Sequence, residues 1–222
     1  MNNLKIFFFA FTISISFIFQ ALADNIIDSN KIKNKVFNFS TEKKDNGMVV
    51  QWELDGALLE QYSNEITHIT KPKLKVYDID LVTNINSETA TDPSGRMEEI
   101  YLKDNVYIHR KMLSTNTPVK MYTSYAIFYV NKNIIETDQD VTIITSDSKT
   151  TGTGLSANIK SGLITILSNA TRIVRSNNEE RTIQGNQMIY NSKTERWIVK
   201  DEAANNLKKK ITKKVITTFN IK

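Results

Sequence analysis

The sequence has no cysteine, and only 3 prolines, 7 glycines and 2 histidines among 222 residues. Lack of cysteine excludes both a disulfide framework and a thiolate metal site. His68 and His109 lie in separate apolar/polar segments, and neither has the H-x-x-x-H or His-carboxylate spacing of a catalytic metal centre. Both read as strand-face residues. There is no G-x-S-x-G, no Walker lysine loop and no zincin helix, so no motif points to an enzyme, a metal or a cofactor. Scarce proline and glycine beside 40% apolar residues exclude wholesale disorder, and the length suits one domain with its own core.

One stretch imitates a nucleotide site. Gly152-Thr-Gly154-Leu-Ser-Ala157 spells G-x-G-x-x-A after the apolar run Val141 to Ile144. That fingerprint binds pyrophosphate only where its glycines open a helix. Leu155 to Lys160 instead alternates apolar and polar with period two, ending at the turn signal Ser161-Gly162. The segment reads as a short strand, and the glycines as turn or bulge residues.

The net charge of +5 belongs to the C-terminal end. From Asn205 onward there are six lysines and no acid, leaving 23 basic against 24 acidic residues elsewhere. Stacking aromatics or a recognition helix would accompany such charge in a nucleic-acid binder. Here the lysines precede an alternating Val215, Thr217, Phe219 and Ile221, which reads as a last strand or as a solvated terminus, with no nucleic-acid partner.

At the other end, one lysine, an apolar stretch from Ile6 to Phe19 and Ala21-Leu-Ala23 before Asp24 have the layout of a secretory signal. The run also approaches the length of a membrane span, so residues 1–23 are expected to be a signal peptide or an anchor helix. Residues 24–222 then form a single domain outside the cytoplasm.

That domain reads as all-β. Met48, Val50, Trp52 and Leu54 share one face, and Ile100, Leu102, Val106 and Ile108 share another. The most helix-like segment, Leu54 to Glu65, is equally a strand and turn. Residues 87 to 99, with Asp92-Pro93-Ser94-Gly95, read as a loop. "KDNVYI", "DQDVTI", "LSNATRI" and "VKDEAANN" place Val106, Val141, Ala170 and Ala203 at spacings of 35, 29 and 33 residues. Ala126, Leu155 and Met188 lie fifteen residues before the last three. Such an irregular repeat predicts stacked antiparallel hairpin units that bury a shared apolar face.

Some of these strands resemble a known family. "VVQWELDGALLEQYSNEITHITKPKLKVYD", with Thr70, Pro72, Leu74 and Tyr77, resembles the opening of the LptC family of lipopolysaccharide-export proteins. "IYLKDNVYI" resembles its tyrosine–leucine strand ending in G-N-V, with Asp104 in place of the glycine. "TGTGLSANIKSGLITILSNATRI" resembles a later strand pair that begins at Gly154. The resemblance spans about residues 30 to 175, while residues 181 to 222 look more like the closing repeats of the periplasmic bridge protein LptA.

The resemblance implies an OstA-like fold, an open and folded-over β-jelly roll, and a non-enzymatic conduit in the periplasm at the inner membrane. Its partners would be lipopolysaccharide, the inner-membrane lipopolysaccharide ABC exporter, an LptA-like jelly-roll bridge protein and, through the anchor, the membrane itself. On the alternation faces, candidates for the lipid groove are Trp52, Leu54, Leu74, Val76, Leu102, Val106, Ile108, Leu155 and Ile159. Tyr77 joins them because it matches a groove aromatic of the family, although alternation sets it opposite Val76. Gly154, Trp197, Val215 and Phe219 are candidates for docking the next jelly roll by strand addition. Three readings compete with this one, the first an LptA-like soluble bridge protein. A structural envelope β-stack would have all its faces sealed, and a secreted enzyme would use paired carboxylates, Glu98-Glu99 or Asp138 and Asp140.

Overall fold

The computed structural model describes residues 31–114, 117–176 and 179–200. The expectations for residues 1–23, Ala203, Val215, Phe219 and the lysine-rich end lie outside these. Among the described residues the strands are β1 (Ile32–Lys44), β2 (Val50–Tyr62), β3 (Thr67–Thr70), β4 (Lys73–Asp78), β5 (Leu81–Asn86), β6 (Thr89–Asp92) and β7 (Glu99–Met112). There follow β8 (Pro118–Tyr129), β9 (Ile134–Ile144), β10 (Ser148–Asn158), β11 (Leu163–Ser176), β12 (Glu179–Gly185), β13 (Gln187–Asn191) and β14 (Arg196–Lys200). A 3-10 turn at Val130–Lys132 precedes β9. All pairings are antiparallel and join the strands into one sheet.

The helix-like segment is strand as far as Tyr62, because its backbone pairs with β1 on one side and with β3 and β4 on the other, a tertiary demand that overrides helix propensity. Met48 sits in the preceding turn at φ 63°, off the face assigned to it. The expected loop at 87–99 is corrected in part: β6 lies inside it, paired with β3 and β7. The remaining turn is tied by the buried Asp92 carboxylate, which accepts from the Ser94, Gly95 and Met97 amides at 3.0, 3.0 and 2.7 Å.

The repeat has a physical basis. From β7 onward the long strands are interrupted near their middles, between Lys103 and Val106 in β7, Tyr122 and Ile127 in β8, and Thr151 and Leu155 in β10. Asp104, Asn105, Gly154 and Asn169 adopt positive φ of 61°, 53°, 75° and 53° at these breaks. Aspartate, asparagine and glycine tolerate that region best, and a bulge there bends the strand and tightens its twist. Val106, Val141 and Ala170 come directly after the interruptions in β7, β9 and β11, while Ala126 and Leu155 come after those in β8 and β10. The repeated residues therefore mark a seam across the sheet.

About this seam the sheet folds over on itself. Arg110 in β7 and Ile159 after β10 lie on opposite sides of it, roughly 30 Å apart were the sheet flat, at ~3.3 Å per residue. Instead Arg110 Nη1 donates to the Ile159 carbonyl at 2.5 Å. One flank holds β4, β5 and β12, and the other β3, β6, β13 and β14. The long strands contribute a half to each. With no helix among the described residues to cover them, the apolar faces of the two flanks cover each other in one core running from Leu54 to Trp197. Pairing stops at β1 on one side, and at β12 and β14 on the other.

Candidate functional site

The interior between the flanks collects most of the residues singled out from the sequence. Leu54, Leu74, Val76, Leu102, Val106, Ile108, Leu155 and Ile159 are all buried in the shared core, and Trp52 packs against it. Trp52 stands beside Val76 and Leu54 beside Leu74 in the β2–β4 ladder, so four of these side chains form one patch. Phe128, Ile135 and Ile166 belong to the same alternation and complete the lining.

Two assignments need correction, those of Tyr77 and Gly154. Tyr77 does not reach the interior: β4 pairs in unbroken register, and with no bulge to reverse it Tyr77 stays on the outer face. There the Lys75 ammonium lies 4.7 Å from its ring centre. Gly154 offers no free edge, because β10 is paired on both sides, with β9 and β11. It is a seam residue, with Leu167 packed where a side chain would begin. Trp197 does lie on an edge strand, but its side chain turns inward and stacks on Tyr190 at 4.7 Å between ring centres. The acidic pairs do not build a reaction centre. Glu99 accepts from the Tyr101 hydroxyl and Asp140 from the Thr153 hydroxyl, while Asp138 bonds its neighbour Gln139.

At the mouth opposite the seam the apolar lining gives way to polar groups. Arg110 and Arg172 are each only 3% exposed. They continue the inward alternations Val106, Ile108, Arg110 and Ala170, Arg172, a signal in the sequence that went unused. Arg172 is satisfied: Nε donates to Ser148 Oγ at 3.0 Å, Nη2 to Asp147 Oδ2 at 2.8 Å, and its guanidinium lies 5.0 Å from the Trp197 ring. Burial lowers its pKa and Asp147 opposes that shift. For Arg110, burial pushes the pKa down to about 10, against the attraction of Asp78 and Tyr190, so it stays charged at neutral pH. Burial also raises the Tyr190 pKa well above the usual phenol range, which keeps that hydroxyl protonated.

The outer face carries an aromatic row in which Tyr107 stacks on His109 and packs against Tyr122. Burial, then the charges of Lys120 and Lys111, hold the His109 pKa below its usual value. The unfolded chain therefore takes up a proton near the ordinary histidine pKa of ~6.5, while the folded chain does so only at lower pH. Stability falls as pH drops through that window and is unaffected above it. Denaturant titrations between pH 5 and 8 are expected to show a flatter profile for His109→Gln than for the parent protein. Equal slopes would remove His109 as the cause.

An apolar interior, a polar mouth and free strand edges are the equipment of a binding protein, and among the described residues no group of histidine and carboxylate side chains is placed to hold a metal ion. The chain belongs to the LptC family: the profile described as "Lipopolysaccharide-assembly, LptC-related" matches residues 6–175. Its general role is thus lipopolysaccharide transport, in a family of the cell envelope, associated with the inner membrane and not known for enzymes. Compared with curated proteins, the chain matches none. Among the described residues no helix is long and apolar enough to cross a membrane.

Proposed function

We propose that this protein is the periplasmic component that receives lipopolysaccharide from the inner-membrane ABC exporter and passes it along a bridge of β-jelly rolls toward the outer membrane. Residues 1–23 hold it at that membrane or direct it there. The observation that carries this reading is the apolar lining, which runs without a break from β2 near one edge of the sheet to β14 at the other. Acyl chains need such a continuous path, since each CH₂ kept from water is worth ~0.8 kcal/mol. They can replace the side-chain contacts between the flanks when the mouth parts. β1 at one edge and β14 at the other then supply backbone for strand addition to neighbouring jelly rolls.

Photocrosslinking in cells tests this, with the probe at Ile159, buried on the interior side, and at Asn158, next to it on the other face. A lipopolysaccharide adduct at Ile159 alone is the expected result. A folded protein with no adduct at either position would favour the sealed structural stack, in which Ile85, Ile135 and Ile143, all 0% exposed, never leave one another.

A further inference from the structure

The two buried arginines at the mouth differ in one respect. In a guanidinium, Nε–H and Nη2–H point the same way and form the edge that grips a planar or tetrahedral oxyanion with two parallel bonds. Arg172 gives that edge to Asp147 and Ser148. Arg110 uses only Nη1, and its Nε and Nη2, although buried, have no hydrogen-bond partner among the described residues. Asp78 is near enough to favour its charge but forms no ion pair with it. Thr83, the cross-strand neighbour of Arg110 in the β5–β7 ladder, has a buried hydroxyl that is likewise without a partner. Gly162 lies close against this guanidinium: a Cβ there would stand 3.1 Å from Arg110 Nη2, so only glycine leaves that edge unobstructed by a side chain of its own.

We propose that Arg110, with Thr83, forms an oxyanion site at the mouth that takes a phosphate on the headgroup of the lipid whose acyl chains occupy the interior. The inference rests on the lipid-carrier reading above. The site lies at the end of an apolar lining, so chains and headgroup are held by adjoining surfaces. Binding the headgroup draws on the same arginine that bonds the Ile159 carbonyl across the mouth, which couples loading to the contact that holds the flanks together.

The test uses the full chain with purified lipopolysaccharide and with the same material after enzymatic dephosphorylation, comparing affinities by equilibrium binding. The parent protein is expected to bind the phosphorylated form about tenfold more tightly or better, the usual size of a hydrogen-bonded charge interaction. Arg110→Gln should abolish that preference, bringing the two affinities together whatever the loss of the Ile159 contact does to both. Arg110→Lys, which keeps the charge and the fold without the two-pronged edge, should retain part of it. Because the preference is a ratio within each variant, a general loss of stability does not mimic it. Equal affinities in the parent protein would overturn the oxyanion site and leave the carrier reading standing. Binding of neither form would overturn both. Inorganic phosphate alone is expected to leave the melting temperature unchanged; a rise that Arg110→Gln removes would assign the site to free phosphate instead.

Discussion

Gly152→Val is expected to leave little folded protein, with a destabilisation of ~3 kcal/mol or more. Gly152 lies at the seam of β10, where the strand runs closest to β11. A Cβ there would meet the Ile166 methyl, stand 2.8 Å from the Ser168 carbonyl oxygen and 3.3 Å from Ala170 Cα. Two of these obstacles are backbone atoms of a strand held on both sides, so neither can swing aside. Gly56 makes a useful contrast. A side chain there would press on the Phe39 ring, with Cζ at 2.8 Å, and stand 3.0 Å from an Ile69 methyl, but both are side chains, and Phe39 on the edge strand β1 can turn outward. Gly56→Ala should therefore cost only about 1 kcal/mol. Urea denaturation of both variants decides the matter, and comparable losses would show that the seam of β10 is no tighter than the β1–β2 contact.

The second large effect is expected at Asp147. Its carboxylate is a quarter exposed, whereas Arg172 is almost wholly buried, so the two ends of this ion pair are not equivalent. Asp147→Ala leaves a buried guanidinium without its counter-charge, which costs roughly 3–5 kcal/mol. Arg172→Met removes the buried charge itself, leaves Asp147 to water and the Thr145 hydroxyl, and keeps the apolar volume against Trp197. Its cost should stay near 1 kcal/mol, mostly the lost cation–π contact. The double variant should then lose only about 1 kcal/mol beyond Arg172→Met alone, for the bond Asp147 accepts from Thr145, far less than Asp147→Ala costs by itself. Additive losses in a double-mutant cycle would mean that the pair is not the source of the effect.

What the sequence revealed follows from the physics of each signal. Alternation with period two located the strands and the inward residues from Trp52 to Ile159, because burial on one face of a sheet imposes that period directly. The repeat was visible for a subtler reason: a strand must break where the sheet folds, and the break selects Asp, Asn or Gly before a small or branched residue. The same rule left Gly154 open between a turn and a bulge, since a positive-φ glycine has the same appearance at a loop tip and in the middle of a paired strand, and only its docking role was misplaced. Tyr77 was drawn inward by family likeness against its own alternation, and the alternation was the better guide. Residues 89–92 read as loop because a four-residue strand carries almost no periodicity. The arginines of the mouth escaped notice because the inward positions were sought among apolar residues only.

The order of pairing has a consequence for how the molecule is made. From β2 onward every strand has at least one partner that lies earlier in the chain: β2 on β1, β3 and β4 on β2, β5 on β4, β6 on β3, and so through β14 on β13. A polypeptide arriving amino end first, as one does from a ribosome or through a translocation pore, can add each strand to a template already in place. After β1, which waits only for β2, no described strand has to wait for a later one before its backbone amides find carbonyls. The interval during which an unpaired edge could recruit a stranger is then set by the rate of arrival, and the last strands to arrive are the ones at the far edge of the sheet.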